Sequence, residues 1–217
     1  MTHRRLSEIL SAVAAAPDGR VPTLRRVRTE WSRRLTDEPA EDVLEIGEGL
    51  ARSEASPRWF AYELVHHHEG ALSALDLAWL HRLGEGMCAW DETDPFGTLL
   101  SGVVWRNDGI RDRDVLAWAE ATDRWWRRVS LVSTVALNNR ARGGSGDTAR
   151  TLLVCRTLIA DRDDMVEKAM SWALRSLIHW DRTAVEAFVR DHDDGLGRRV
   201  VREVRNKLES GLKNPKR

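Results

Sequence analysis

The feature that most constrains this chain is its repetition of helical segments with no competing strand signal. Runs such as VLEIGEGLAR (43–52), VLAWAEA (115–121), TLLVCRTLIA (151–160) and VVREVRNKLESGL (200–212) place apolar residues three and four apart. That spacing lines one face of a helix. Breakers separate the runs at Pro17–Gly19, Thr36–Pro39, Ser56–Pro57, Gly84–Gly86, Asn107–Gly109, Gly143–Gly146 and Asp191–Gly197. No segment alternates with period two for long enough to make a strand, so the expected class is all-α.

The helices recur in similar settings. PRWFAYELV (57–65), TDPFGTLLS (93–101), RWWRRVSLV (124–132) and VEKAMSWAL (166–174) align on Ala61, Pro95, Val129 and Ala169, with steps of 34, 34 and 40 residues. This is the period range of two-helix solenoid repeats, HEAT units among them. One such unit cannot bury its own apolar face, so neighbours stack and the array curves around a concave surface. The expectation is an α-solenoid of HEAT-like repeats forming one domain over residues 1–217, with GGSG (143–146) a turn between units.

Composition narrows the function classes. Apolar residues make up 42% and charged residues 31%, with 34 acids balanced by 34 bases, as in a soluble globular protein. Zero net charge argues against bulk electrostatic binding of nucleic acid but leaves local patches open. Only four of the bases are Lys, and Arg is the better bidentate partner for phosphate. Cys88 and Cys155 form no zinc spacing or disulfide framework and fit a reducing compartment. The N-terminal MTHRRLSEILSAVAAAPDG is too short and interrupted to span a membrane and reads as an amphipathic helix rather than a signal peptide. A cytoplasmic location, nucleoid-associated when bound to DNA, is expected.

Three segments could carry chemistry. CAWDETDPF (88–96) combines Trp90 with three carboxylates, and Asp94 precedes Pro95. Because a residue before Pro is pushed out of the α region, Asp94 could simply be an N-cap with Pro95 in the first turn. In DRWWRRVSL (123–131), Arg124 and Arg128 lie one turn apart beside Trp125 and could clamp successive phosphates, or pair with nearby Asp residues on a solvated face. In KAMSWALRSL (168–177), Lys168, Trp172 and Arg175 share a helix face while Ala169, Ala173 and Leu177 point toward neighbouring helices. Alone, Trp172 reads first as a half-buried packing residue.

In order and spacing, WDETD (90–94), RWWRR (124–128) and KAMSWALRSL (168–177) together resemble the AlkD-like DNA alkylation repair glycosylases, which are built from HEAT-like repeats. The likeness covers roughly residues 57–212. In addition, RVPTLRRVR (20–28) sits where that family has a Pro-containing helix start. The resemblance implies a Trp at 90 and a catalytic Asp at 94, a phosphate-contacting Arg at 128, and a second Trp at 172. Arg124, Trp125, Lys168 and Arg175 are the flanking DNA-binding candidates. The activity implied is hydrolysis of the N-glycosidic bond of cationic N3- or N7-alkylated purines in double-stranded DNA. Neither strand cleavage nor capture of the base in a closed pocket is expected.

Other chemistries lack their signatures. His66, His67 and His68 are consecutive, so on a helix their rings diverge and cannot share a metal. There is no Gly-rich phosphate loop, nucleophile elbow or deaminase pattern. No cofactor and no metal are expected, no membrane partner, and a monomer. Two other readings remain: a non-catalytic HEAT-like module for damaged or branched DNA, and a solenoid with a Trp-rich face for a protein partner.

Overall fold

The computed structural model describes residues 2–215, and every regular element among them is helical. The chain divides into two compact units, the first ending at Leu100 and the second starting at Ser101.

In the first unit, α1 (Thr2–Ala14), α2 (Val21–Arg34), α3 (Ala40–Ala51) and α4 (Arg58–His66) precede the short α5 (Glu69–Ser73), α6 (Leu77–Gly84) and α7 (Trp90–Pro95). Pro22 occupies the first turn of α2 and Pro57 the N-cap of α4, where a missing N–H costs nothing. Helix α3 packs on α1, α4, α5 and α6. Its Gly47 lets them approach closely, since a Cβ there would fall 2.6 Å from a methyl of Val65. Ile9, Leu44, Leu50, Phe60, Tyr62, Leu80 and Phe96 are fully enclosed. Burial of each such side chain contributes about 1.5–3 kcal/mol before entropy is counted. One buried acid, Glu63 of α4, sits between Arg25 and Arg28 of α2 at 2.9 and 3.3 Å.

The second unit holds α8 (Gly102–Arg106), α9 (Asp112–Ala119), α10 (Arg124–Asn138), α11 (Thr148–Thr157), α12 (Asp164–Leu177), α13 (Arg182–Asp191) and α14 (Arg198–Ser210). Asp side chains cap α10, α11, α12 and α13 by accepting from first-turn N–H groups. Contacts run between sequence neighbours in two rows, α8–α10–α12–α14 and α9–α11, with α13 on α12 and α14. Nearest-neighbour stacking of this kind is what a solenoid requires. Helix α10 is enclosed by α8, α9, α11 and α12, and every residue from Arg128 to Asn138 is buried. Helices α10 and α12 pack extensively on one another, and both carry fully buried small residues, Ser130, Ser133 and Ala136 on α10 and Ala169, Ser171 and Ala173 on α12. The GGSG turn is stitched to α10: the Gly146 N–H donates to the Leu137 carbonyl at 3.0 Å, and the Asn138 side chain accepts from the Asp147 N–H.

The four aligned positions fall on α4, α7, α10 and α12, with two helices between the members of the first two pairs and one between the last. Among the described residues, no helix is long and apolar enough to cross a membrane.

Candidate functional site

Helix α7 begins at Trp90 with Ala89 as its N-cap, and a methyl group cannot cap. Glu92 turns back on the preceding loop, its Oε2 accepting from the Cys88 N–H at 2.7 Å. The other carboxylate oxygen of Glu92 lies 3.5 Å from Arg58 Nε on α4. The same Arg58 reaches Tyr62, whose phenol burial pushes up to about 12 while Arg58 pulls it down. Helix α7 is thus anchored by polar contacts to α4, against which it packs.

Trp90 is 57% exposed, the most open of the ten Trp residues. Asp94, one turn further on, is half-buried. The Asp-Pro step does not start a helix here: Asp94 lies inside α7, and Pro95 is inside it as well. Pro95 has no N–H to offer the Asp91 carbonyl. From Phe96 to Ser101 the chain continues as a π-helical turn, a form that recurs at functional sites. An exposed aromatic and a carboxylate therefore project from one short helix whose far end is irregular.

On α10, the two guanidiniums one turn apart are not equivalent. Arg124 is 53% exposed, lies over the Trp125 ring at 5.1 Å and pairs with Asp163 at 3.4 Å. Trp125 is half-buried. Arg128 is buried, and its Nη1 donates to the Met165 carbonyl at the start of α12. Between them, Arg127 holds Asp161 at 2.7 Å and the carbonyls of Ala121 and Thr122. The start of α10 is therefore tied by three Arg side chains to the loop and first turn of α12.

On α12, Lys168, Trp172 and Arg175 are partly exposed while Ala169, Ala173 and Leu177 are fully buried, as the periodicity predicts. Lys168 Nζ lies 2.6 Å from Asp164, which also meets Arg199 at 2.8 Å. The Lys168 hydrogen bond holds the Asp164 carboxyl below its ordinary range, with Arg199 and Arg128 adding to the effect. Arg175 Nε donates to the Ser171 hydroxyl at 3.1 Å, and that hydroxyl donates to the buried Glu203 at 2.6 Å. Trp172 and Arg175 both line a cleft of about 510 Å³.

Trp90 and Asp94 thus stand together on α7 in the first unit. In the second, Arg124, Trp125, Arg128 and Lys168 gather where α10 meets the start of α12, and Trp172 and Arg175 lie further along α12. Sequence reasoning missed Arg58 and Glu92 as supports of α7, and Asp164 as the acid that organises Lys168. It also missed Arg140, His179 and Lys207 in the cleft. The Glu92 contact is local, reaching Cys88 four residues back. The others depend on contacts between distant helices. The three consecutive His residues have separate tasks: His66 Nδ1 meets the Leu99 carbonyl, His67 Nδ1 the Glu63 carbonyl, and His68 caps α5. Among the described residues, no group of three or more His, Cys, Asp or Glu could hold a metal.

The family model for the DNA alkylation repair enzyme matches residues 19–208, from just before α2 to within α14, and so includes every candidate residue named above. The chain belongs to the DNA alkylation repair enzyme family. It is an enzyme of DNA repair and DNA is its partner. No curated protein and no solved structure matches it.

Proposed function

We propose that the protein is a monofunctional DNA glycosylase that releases cationic N3- and N7-alkylated purines from duplex DNA. The observation that carries this reading is the pairing of the exposed Trp90 with Asp94 one turn away on α7. A sugar bearing developing positive charge is the partner that suits both a largely exposed aromatic and a neighbouring carboxylate.

An alkylated purine of this kind carries a formal positive charge. Cleavage of its N-glycosidic bond sends the bonding electron pair to the base, neutralising it, and positive charge builds at C1′ of the deoxyribose. A fixed carboxylate beside that carbon stabilises the developing charge. Asp94 has this role, and it also accepts the proton of the water that adds to C1′. The π faces of Trp90 and Trp172 pack on the sugar and favour the same charge. Arg128 holds a flanking phosphate, with Arg124, Trp125, Lys168 and Arg175 along the strand. The reaction as written consumes only water. The lesion's own charge supplies the leaving-group activation, so no pocket is needed to protonate or enclose the base. Residues 1–217 act in this reading as one HEAT-like repeat domain and as a monomer.

The test is incubation with an end-labelled duplex containing one 7-methylguanine. The free base should appear while the strand stays intact until hot alkali cleaves the abasic site. Strand scission without alkali would contradict the monofunctional mechanism, and absence of released base would contradict the glycosylase reading.

A further inference from the structure

Helix α7 cannot hold its own direction. It has six residues, against the ~12–15 that an isolated helix needs, and its N-cap Ala89 supplies no side-chain bond. Its aim therefore depends on its contacts with α4, on which it packs. Trp90 and Asp94 are four apart and share one face. Glu92 and Phe96 are also four apart, and the two-residue offset turns them about 200° away from Trp90 and Asp94. One face of the segment presents the site, and the opposite face meets α4.

On α4 the facing pair is Arg58 and Tyr62, again four apart. Arg58 Nε lies 3.5 Å from the Glu92 carboxylate, the one acid at ion-pair distance from it among the described residues. The Tyr62 ring meets the Phe96 ring edge-on at 5.4 Å, and both are fully buried. The Tyr62 hydroxyl donates to the Leu83 carbonyl at 3.2 Å, and Arg58 reaches the same phenol. Arg58 thus joins the two ends of the grip, Glu92 near the start of α7 and Phe96 just beyond its last residue.

The guanidinium is enclosed. Gly86, at φ +75°, lies so close that a Cβ there would come within 3.1 Å of Nη2. Nη1 is buried and has no hydrogen-bond partner among the described residues. An apolar side chain of similar volume would serve stability as well as a buried, incompletely satisfied cation does. What Arg58 supplies instead is direction, since its charge fixes where Glu92 sits. We infer that Arg58 is a positioning residue for base release, holding α7 through Glu92 so that Trp90 and Asp94 face the sugar; the inference rests on the function proposed above.

The test is single-turnover base release by the full chain from a 7-methylguanine duplex, measured across DNA concentrations. Arg58→Met keeps the volume and removes the charge. It should slow the saturated rate about 10- to 100-fold, the scale of an ångström's misplacement, while the half-saturating DNA concentration changes little. Glu92→Gln should slow it comparably, and the double variant no further than the slower single one. Arg58→Lys, which restores a cation, should recover part of the rate. Arg4→Ala, at an exposed ion pair on α1, should leave it unchanged. Should Arg58→Met fail to fold, Arg58→Gln is held to the same expectation. A folded variant with the wild-type saturated rate would overturn the inference, as would Arg58 and Glu92 effects that simply multiply in the double variant.

Hydrogen exchange over residues 85–96 is a second arm that needs no activity. Arg58→Met should speed exchange there and leave α10 and α12 as in the wild type. If the wild-type protein releases no base, the glycosylase reading falls and exchange decides alone, unchanged exchange overturning the hold of Arg58 on α7. If the wild type releases base and Arg58→Met releases it as fast, the inference falls and the glycosylase stands.

Discussion

The hydroxyl of Thr98 donates to the main-chain carbonyl of Asp94 at 2.7 Å, where the α-helical ladder of α7 gives way to the π turn. A hydroxyl bonded to the carbonyl four residues back bends a helix. Pro95 withholds a donor in the same turn. The backbone beneath the carboxylate is thus set by two local devices, and the first can be removed alone. Thr98→Val, which keeps the shape and loses the donor, should cost about 1 kcal/mol of stability. It should also slow base release at saturating DNA, and Thr98→Ser should restore the rate. A lower melting temperature with an unchanged rate would show that the bond serves the fold only.

Asp94→Asn keeps the size of the side chain and removes its charge. Base release should fall by at least about 100-fold, the scale on which loss of one transition-state electrostatic contact is felt. Melting temperature and duplex affinity should change little, because Asp94 does not cap α7. Near-wild-type release would remove Asp94 from the mechanism.

Arg128→Ala tests a residue asked to serve both fold and DNA. Arg128 is 5% exposed and its guanidinium donates to the Met165 carbonyl, so truncation should destabilise by about 1–3 kcal/mol. It should also flatten the salt slope of duplex binding by about one phosphate contact. A lowered melting temperature with the slope intact would make Arg128 a brace between α10 and α12 and nothing more.

The two thiols should behave differently toward an alkylating reagent. Cys88 is exposed, whereas Cys155 is fully buried and burial pushes its thiol up to about 12. Thiolate is the reactive form. The native protein should take up one label, on Cys88, and the denatured protein two. Labelling of Cys155 under native conditions would show that α11 opens.

Much of the helical framework was legible because its signals are local. Ala169, Ala173 and Leu177 recur at helical spacing and are all buried, and Pro22 and Pro57 sit at helix starts as their chemistry dictates. The Asp94–Pro95 step misled for a local reason as well. The dipeptide normally marks a helix start, but here the helix already begins at Trp90, and Pro95 falls at its end, where the chain passes into a π turn. The unequal fates of Arg124 and Arg128 were not legible, since one meets Asp163 and the other a main-chain carbonyl on a helix some forty residues away. The cleft was hidden for the same reason. Arg140, Arg175 and Lys207 come from three separate segments, and no spacing in the sequence announces that they line one cleft.

The central claim is that the lesion's own positive charge, stabilised at the sugar by Asp94, drives the chemistry. The most direct measurement is single-turnover base release by the wild-type protein from four otherwise identical duplexes, carrying 7-methylguanine, 3-methyladenine, hypoxanthine or uracil. The two cationic bases should be released and the two neutral ones retained, since neither Asp94, the two Trp residues nor Arg128 is assigned to protonate a base or read its edge. Efficient release of hypoxanthine or uracil would mean that the protein activates neutral leaving groups, and the charge-driven account would be wrong.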